Sequence, residues 1–161
     1  MKNIEKVLFI CTGNTARSPA AEYLAKYHAK HYGNKSLIFD SAGFINAFTY
    51  MQPESRKYLN LKGIDHSNFT PKIVNRTLIA ENDLIITMET QHVNDLLEEF
   101  NDIENIKEKT MTLKAFNGRK GDIIDPYYTN KNSYMKVMEE LERNVEELVM
   151  KLVDTDENPH V

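Results

Sequence analysis

The chain has 161 residues, 41% hydrophobic and 27% charged, which suits one ordinary globular domain able to bury a core without disulfides or metals. A formal charge of −4, from 20 Lys+Arg against 24 Asp+Glu, argues against a general nucleic-acid binder held by phosphate contacts, so any anion site must be local. The longest apolar run near the N-terminus, Val7 to Cys11, is too short for a signal-peptide core or a membrane span, and a cytoplasmic protein without a membrane partner is expected.

The first predicted element is a strand over Ile4 to Ile10, whose VLFI run has the unbroken apolar character of a strand buried on both faces of a parallel sheet. A helix is predicted almost at once, with Ser18 as its cap, Pro19 in its first turn, Glu22 near its positive end and Gly33 ending it. A strand at Ser36 to Asp40 and a helix from Glu54 to Leu61, closed by Gly63, come next. The LIIT run within Asp83 to Met88 predicts another buried strand, followed by a helix from Thr90 to Phe100 and a last strand at Thr110 to Leu113. From Ser133 to Val153 the residues Tyr134, Val137, Met138, Leu141, Val145, Leu148, Val149 and Leu152 recur every three or four positions, the period of one helix face. One domain over 1–153 is expected, with a polar tail over 154–161. Alternating strands and helices imply a single α/β domain of three αβα layers around a parallel sheet, with ligands at the carboxyl ends of the strands. Cys11 lies at such an end.

The stretch CTGNTARS, Cys11 to Ser18, carries the chemistry. A strand ending at Ile10 and a helix opening near Ser18 leave Thr12, Gly13, Asn14, Thr15, Ala16 and Arg17 to form a concave nest of backbone N–H groups, which suits a phosphate. Gly13 and Asn14 most easily take the positive φ that such a curl needs. Arg17 adds a planar fork for two phosphate oxygens. Helix N-termini and neighbouring cations draw a cysteine thiol from about 8.5 down into a range of roughly 3.5 to 7.5, so the same field favours Cys11 as a nucleophile over a buried structural thiol. Cys11 is the only cysteine, so a reducing compartment would keep it free. The Ser18 hydroxyl is placed to donate to the sulfur.

A lysine-bearing nucleotide loop and a GxGxxG fingerprint are both absent. Cleavage of a phosphate ester calls for a general acid, and the stretch GDIIDPYYTN offers Asp122 and Asp125. Pro126 restrains the backbone of Asp125, and Tyr127 and Tyr128 are positioned to line the approach and to stack on an aromatic substrate. His28 and His31 lack a third metal ligand and read as a solvated helix face; His92 and His160 show no partner in sequence; the acidic run from Glu139 to Glu147 reads as solvated.

CTGNTARSPAAE, the SAG at Ser41 to Gly43 and the DPYY at Asp125 to Tyr128 resemble the low-molecular-weight protein phosphatases, over about Val7 to Val153. The resemblance implies a four-stranded parallel sheet of flavodoxin-like type and no metal or cofactor. It implies that Cys11 is the nucleophile, that Arg17 holds the phosphoryl group, that Asp125 is the acid and then the base, and that Asn14, Ser18 and Ser41 brace the loop. Phosphorylated proteins would be the substrates and inorganic phosphate the product, through phosphocysteine. Where many members carry a second cysteine before the arginine this chain has Ala16, and related arsenate reductases use further cysteines that it lacks. Many members place a bracing histidine where this chain has Asn68, with His66 two positions away, and an aromatic wall of the cleft would fall to Phe44 or Phe48 because there is no tryptophan. DPYY resembles the tyrosine-directed members, whereas the Thr15 of CTGNT resembles the protein-arginine phosphatases; phosphotyrosine is the favoured expectation. A phosphopeptide-binding module without turnover would share the loop but need neither thiol nor acid.

Overall fold

The computed structural model describes residues 3–157. Four strands, β1 (Lys6–Cys11), β2 (Ile38–Gly43), β3 (Leu84–Thr87) and β4 (Thr110–Thr112), form one parallel sheet in the order β2-β1-β3-β4. The helices are α1 (Arg17–His31), α2 (Pro53–Leu61), α3 (Arg76–Glu81), α4 (Thr90–Glu99), α5 (Ile106–Lys109), α6 (Leu113–Phe116) and α7 (Lys131–Glu157). The three-layer α/β architecture expected from the alternation is present.

The alternation of side chains along β1 divides the core. Val7, Phe9 and Cys11 face a cluster built with α1, α2 and α7, while Leu8 and Ile10 face a second cluster that includes Ile79 of α3 and Leu96 of α4. Both faces are covered, which is why β1 reads as a continuous apolar run. The apolar stripe of α7 is buried along its predicted period, from Tyr134 through Leu152. Burying one such leucine contributes roughly 1.5–3 kcal/mol, so this stripe clamps the α1 side of the sheet.

Two expectations are corrected. Helix α1 begins at Arg17 with Ala16 at the N-cap and no side-chain cap bond, so Ser18 does not cap it. With the helix starting at Arg17, Glu22 falls beyond the first turn and is buried, so it does not sit at the positive end. The short helices α3, α5 and α6 were not predicted, because four to six residues are too few to show a period. Helix α7 runs to Glu157, past Val153, and residues 158–161, with His160, lie outside the described residues. Among the described residues no helix is long and apolar enough to cross a membrane.

Candidate active site

Cys11 ends β1 in register with Gly43 of β2, and the chain then curls through Thr12 to Ala16 before α1 begins. Asn14 makes the curl at φ 55, the left-handed region that asparagine tolerates. Gly43 has no alternative here, since a Cβ would lie 2.7 Å from the Asn14 nitrogen and 2.8 Å from the Gly13 carbonyl carbon.

Hydrogen bonds run through the loop from the Asn14 amide outward. The Asn14 amide donates one hydrogen to Ser18 Oγ (2.9 Å) and the other to Ser41 Oγ (2.9 Å). Ser41 therefore donates onward to Glu22 Oε1 at 2.6 Å, and Glu22 is held by Lys26 at 2.6 Å. Ser18 Oγ lies 2.9 Å from Cys11 Sγ and 3.4 Å from the Ala42 carbonyl, and the Ser18 N–H points at the same sulfur from 3.4 Å. The sulfur thus stands where a cap acceptor would, at the start of α1. Asn14 Oδ1 accepts from the Lys72 N–H at 3.0 Å. Neither Asn68 nor His66 serves that network: Asn68 is exposed and His66 bonds Asn60 at 2.8 Å.

Arg17 is 1% exposed, so its charge needs partners. One of its terminal nitrogens donates to Glu89 and to the Ile123 carbonyl (2.7 Å); the other lies 3.4 Å from Thr12 Oγ1 and 3.8 Å from Asp125 Oδ2. Its Nε is buried with no hydrogen-bond partner among the described residues. A buried guanidinium held at one end with a donor left over suits an anion in the nest.

The loop opens into a cavity of about 400 Å³ lined by Cys11, Thr12, Gly13, Thr15, Ala16, Arg17, Asp125, Tyr127 and Tyr128, all of them sequence-predicted. Asn14, Ser18 and Ser41 are buried behind the loop. Ile45, Ala47, Phe48 and Gln52 complete the wall. The Phe48 and Tyr127 rings lie 5.4 Å apart and make an aromatic side, while Phe44 stacks on His92 instead. Asp125 Oδ1 accepts from the Tyr127 N–H at 3.0 Å, which leaves Oδ2 toward Arg17. Asp122, the other candidate acid, takes the Thr90 N–H and hydroxyl at the start of α4 and faces away from this chemistry.

Several supports were invisible in the sequence. Glu89 reaches Arg17 from 72 residues away. His92 bonds Thr12 Oγ1 at 3.1 Å. Tyr134 donates to Ser55 at 2.6 Å, and Ser55 to the Ala16 carbonyl at 2.9 Å, which ties the loop to α2 and α7. His28 is also buried, on Glu142 at 2.8 Å, so neither His28 nor Glu142 belongs to a solvated face.

Known proteins of this shape carry the same arrangement of elements. The chain resembles the protein-arginine-phosphatase of Bacillus subtilis (strain 168), 29% identical over 91% of this chain and 95% of the relative. It is 30% identical to the low molecular weight protein-tyrosine-phosphatase PtpB of Staphylococcus aureus over 92% and 97%. Among solved structures, the YwlE arginine phosphatase from Geobacillus stearothermophilus superposes with a TM-score of 0.84 at 29% identity, covering 98% of this chain and 99% of that one. The low molecular weight protein tyrosine phosphatase from T. tengcongensis does so at 0.83 and 32%, covering 91% and 99%. Residues 6–158 match the family described as low molecular weight phosphotyrosine protein phosphatase, and the chain belongs to that family.

Proposed function

We propose that this phosphatase hydrolyses phosphotyrosine in proteins, and small aryl phosphates, through a phosphocysteine intermediate. The observation that carries the reading is the convergence on one cavity of the Cys11 sulfur with its Ser18 donor, the buried Arg17, and the Asp125 carboxyl 3.8 Å from Arg17. In the first step the sulfur attacks phosphorus, the ester P–O bond breaks, and Asp125 gives a proton to the leaving oxygen. In the second step Asp125 takes a proton from water, the water oxygen attacks phosphorus, the P–S bond breaks and inorganic phosphate leaves. Loop amides and Arg17 hold the equatorial oxygens throughout, where charge builds up. The Phe48 and Tyr127 walls suit an aryl leaving group. A reducing compartment keeps a reactive thiol from oxidation, from which we infer a cytoplasmic location.

A second reading has its own observation. Thr15, 5% exposed, lines the cavity with a small polar side chain, and the Asp125 carboxylate at its mouth complements a cationic guanidinium. Both features suit phosphoarginine, the substrate class named for two of the relatives above.

The test is phosphate release from a phosphotyrosine peptide and a phosphoarginine peptide at equal concentration, with Cys11→Ser as the blank. Faster release from phosphotyrosine supports the first reading, and faster release from phosphoarginine replaces it with the second. Turnover undiminished in Cys11→Ser would overturn the mechanism, and phosphopeptide binding without turnover in the wild type would leave a binding module.

A further inference from the structure

The residue that orders the phosphate end of the site stands outside the loop. His92 is 4% exposed and lies against the Phe44 ring. Its Nδ1 receives the Glu89 backbone N–H at 3.1 Å, and because a backbone N–H can only donate, Nδ1 must carry a lone pair. Burial, then the Arg17 charge, draw the ring below its ordinary value, against the opposite pull of Glu89, Asp95 and Asp122. The ring is therefore neutral near pH 7, with its single hydrogen on Nε2. That hydrogen points to Thr12 Oγ1 at 3.1 Å.

Thr12 Oγ1 then has two donors against it, His92 Nε2–H and Arg17 Nη2–H, the latter at 3.4 Å. A hydroxyl oxygen has two acceptor sites, and both are filled. Its own hydrogen has no acceptor among the described residues, while Thr12 lines the cavity beside Cys11 and Arg17. The unpartnered Nε of Arg17 is a second donor without an acceptor in the same loop.

We infer that the Thr12 side-chain hydroxyl is a phosphoryl-oxygen donor, additional to the loop amides, and that His92 is the positioning residue that aims it. The inference rests on the phosphatase reading of the same cavity. His92 acts twice: its Nε2–H directs the Thr12 hydrogen away from the protein, and its Nδ1 fixes the Glu89 backbone from which the Glu89 carboxylate grips Arg17. Phosphate enters with oxygens that accept from Thr12 and from the free Arg17 donor, and no bond between heavy atoms changes in this step.

The experiment measures binding of inorganic phosphate to the folded protein by titration calorimetry, beside kcat and KM for para-nitrophenyl phosphate, in Thr12→Val, Thr12→Ser, His92→Phe and the double variant Thr12→Val/His92→Phe. Valine keeps the shape and removes the hydroxyl; phenylalanine keeps the stack on Phe44 and removes both nitrogens. Thr12→Val is expected to weaken phosphate binding about tenfold or more, the range of one charge-assisted hydrogen bond. Thr12→Ser should restore it to within about twofold. His92→Phe should weaken binding in the Thr12 background and add less than its own factor in the Thr12→Val background, because part of its effect passes through the missing hydroxyl. Wild-type affinity in Thr12→Val, or factors that simply multiply in the double variant, would overturn the inference. If His92→Phe does not fold, the valine and serine pair at Thr12 still reads the hydroxyl. A wild type that binds phosphate but releases none from esters defeats the phosphatase reading and leaves the Thr12 comparison standing; a wild type that binds no phosphate defeats both.

Discussion

The loop at the end of β1 and the seam where α1, α2 and α7 meet both bury charge, and they complete its hydrogen bonding differently. In the seam, Glu142 receives His28 at 2.8 Å, the Tyr58 hydroxyl, and Lys62 at 2.9 Å, while His28 turns its other nitrogen to Glu146 at 3.8 Å. Burial alone would raise the Glu142 carboxyl, but the hydrogen bonds from His28, Tyr58 and Lys62 outweigh it and hold the group at about 2. The Tyr58 hydroxyl is pushed up, first by burial and then by its bond to Glu142. In the loop, by contrast, Arg17 Nε has no partner and the Thr12 hydrogen has no acceptor among the described residues. A closed network stabilises the fold, whereas donors left open in a cavity cost stability that a ligand recovers.

This contrast can be broken by substitution, beginning where the effect should be largest. Asp125→Asn keeps the shape and removes the transferable proton, so kcat for a phenyl-type leaving group should fall by about 10² to 10⁴. The fall should be smaller for para-nitrophenyl phosphate, whose leaving group needs less protonation. Equal losses on both substrates would remove Asp125 from the role of acid.

Gly43→Ala drives a Cβ into the backbone of the loop, 2.7–2.9 Å from Asn14, Gly13 and Thr12 atoms. Overpacking of this kind costs about 1–3 kcal/mol, and the loop, being the softer partner, should give way. Phosphate affinity measured by calorimetry should drop together with the melting temperature; an unchanged affinity would mean that β2 moves and the loop does not.

Glu142→Gln tests the closed network. It should lower stability by about 2 kcal/mol in urea titration, since hydrogen bonds to a charged partner are lost, while kcat stays at the wild-type value. A fall in kcat without a fall in stability would mean that the seam reports to the site.

The smallest effect is the pH dependence of that seam. The folded Glu142 carboxyl lies below its ordinary value of 4.5, at about 2, so its contribution is complete above about pH 4.5 and is lost as pH falls toward 2. Between about pH 5 and about pH 2.5 the wild type should therefore lose more of its urea midpoint than Glu142→Gln does. Parallel curves for the two proteins would show that the group is not held as described.

Much of this was legible before any coordinates. The VLFI and LIIT runs marked the two central strands, the three-to-four spacing after Ser133 marked α7, and CTGNTARS with DPYY marked nine residues of the cavity lining. These signals are local, since burial on both strand faces, helical period and loop curvature each leave a pattern within a few neighbouring residues. Ser18 differs from its expected role for an instructive reason: Ser-Pro before an apolar run is a cap signature, but here the sulfur and Asn14 compete for the hydroxyl and the helix starts two residues earlier. His28 and Glu142 were misread because a histidine and an acidic run look solvated until two helices are laid together.

The sequence by itself determined the layered α/β fold, the loop that sets Cys11 beside Arg17, and the Asp-Pro loop, because each is written in contiguous residues whose backbone geometry is their own. Only the tertiary structure decided which acid faces Arg17, that Glu89 and Ile123 hold the guanidinium, that Lys72 and Glu22 complete the bracing of Asn14 and Ser41, and that His92 stands behind Thr12. Those choices join residues more than 100 positions apart, as Arg17 with Ile123 and with Asp125. A hydrogen bond is a matter of ångströms and direction, and for such distant partners both are set by how the helices dock on the sheet.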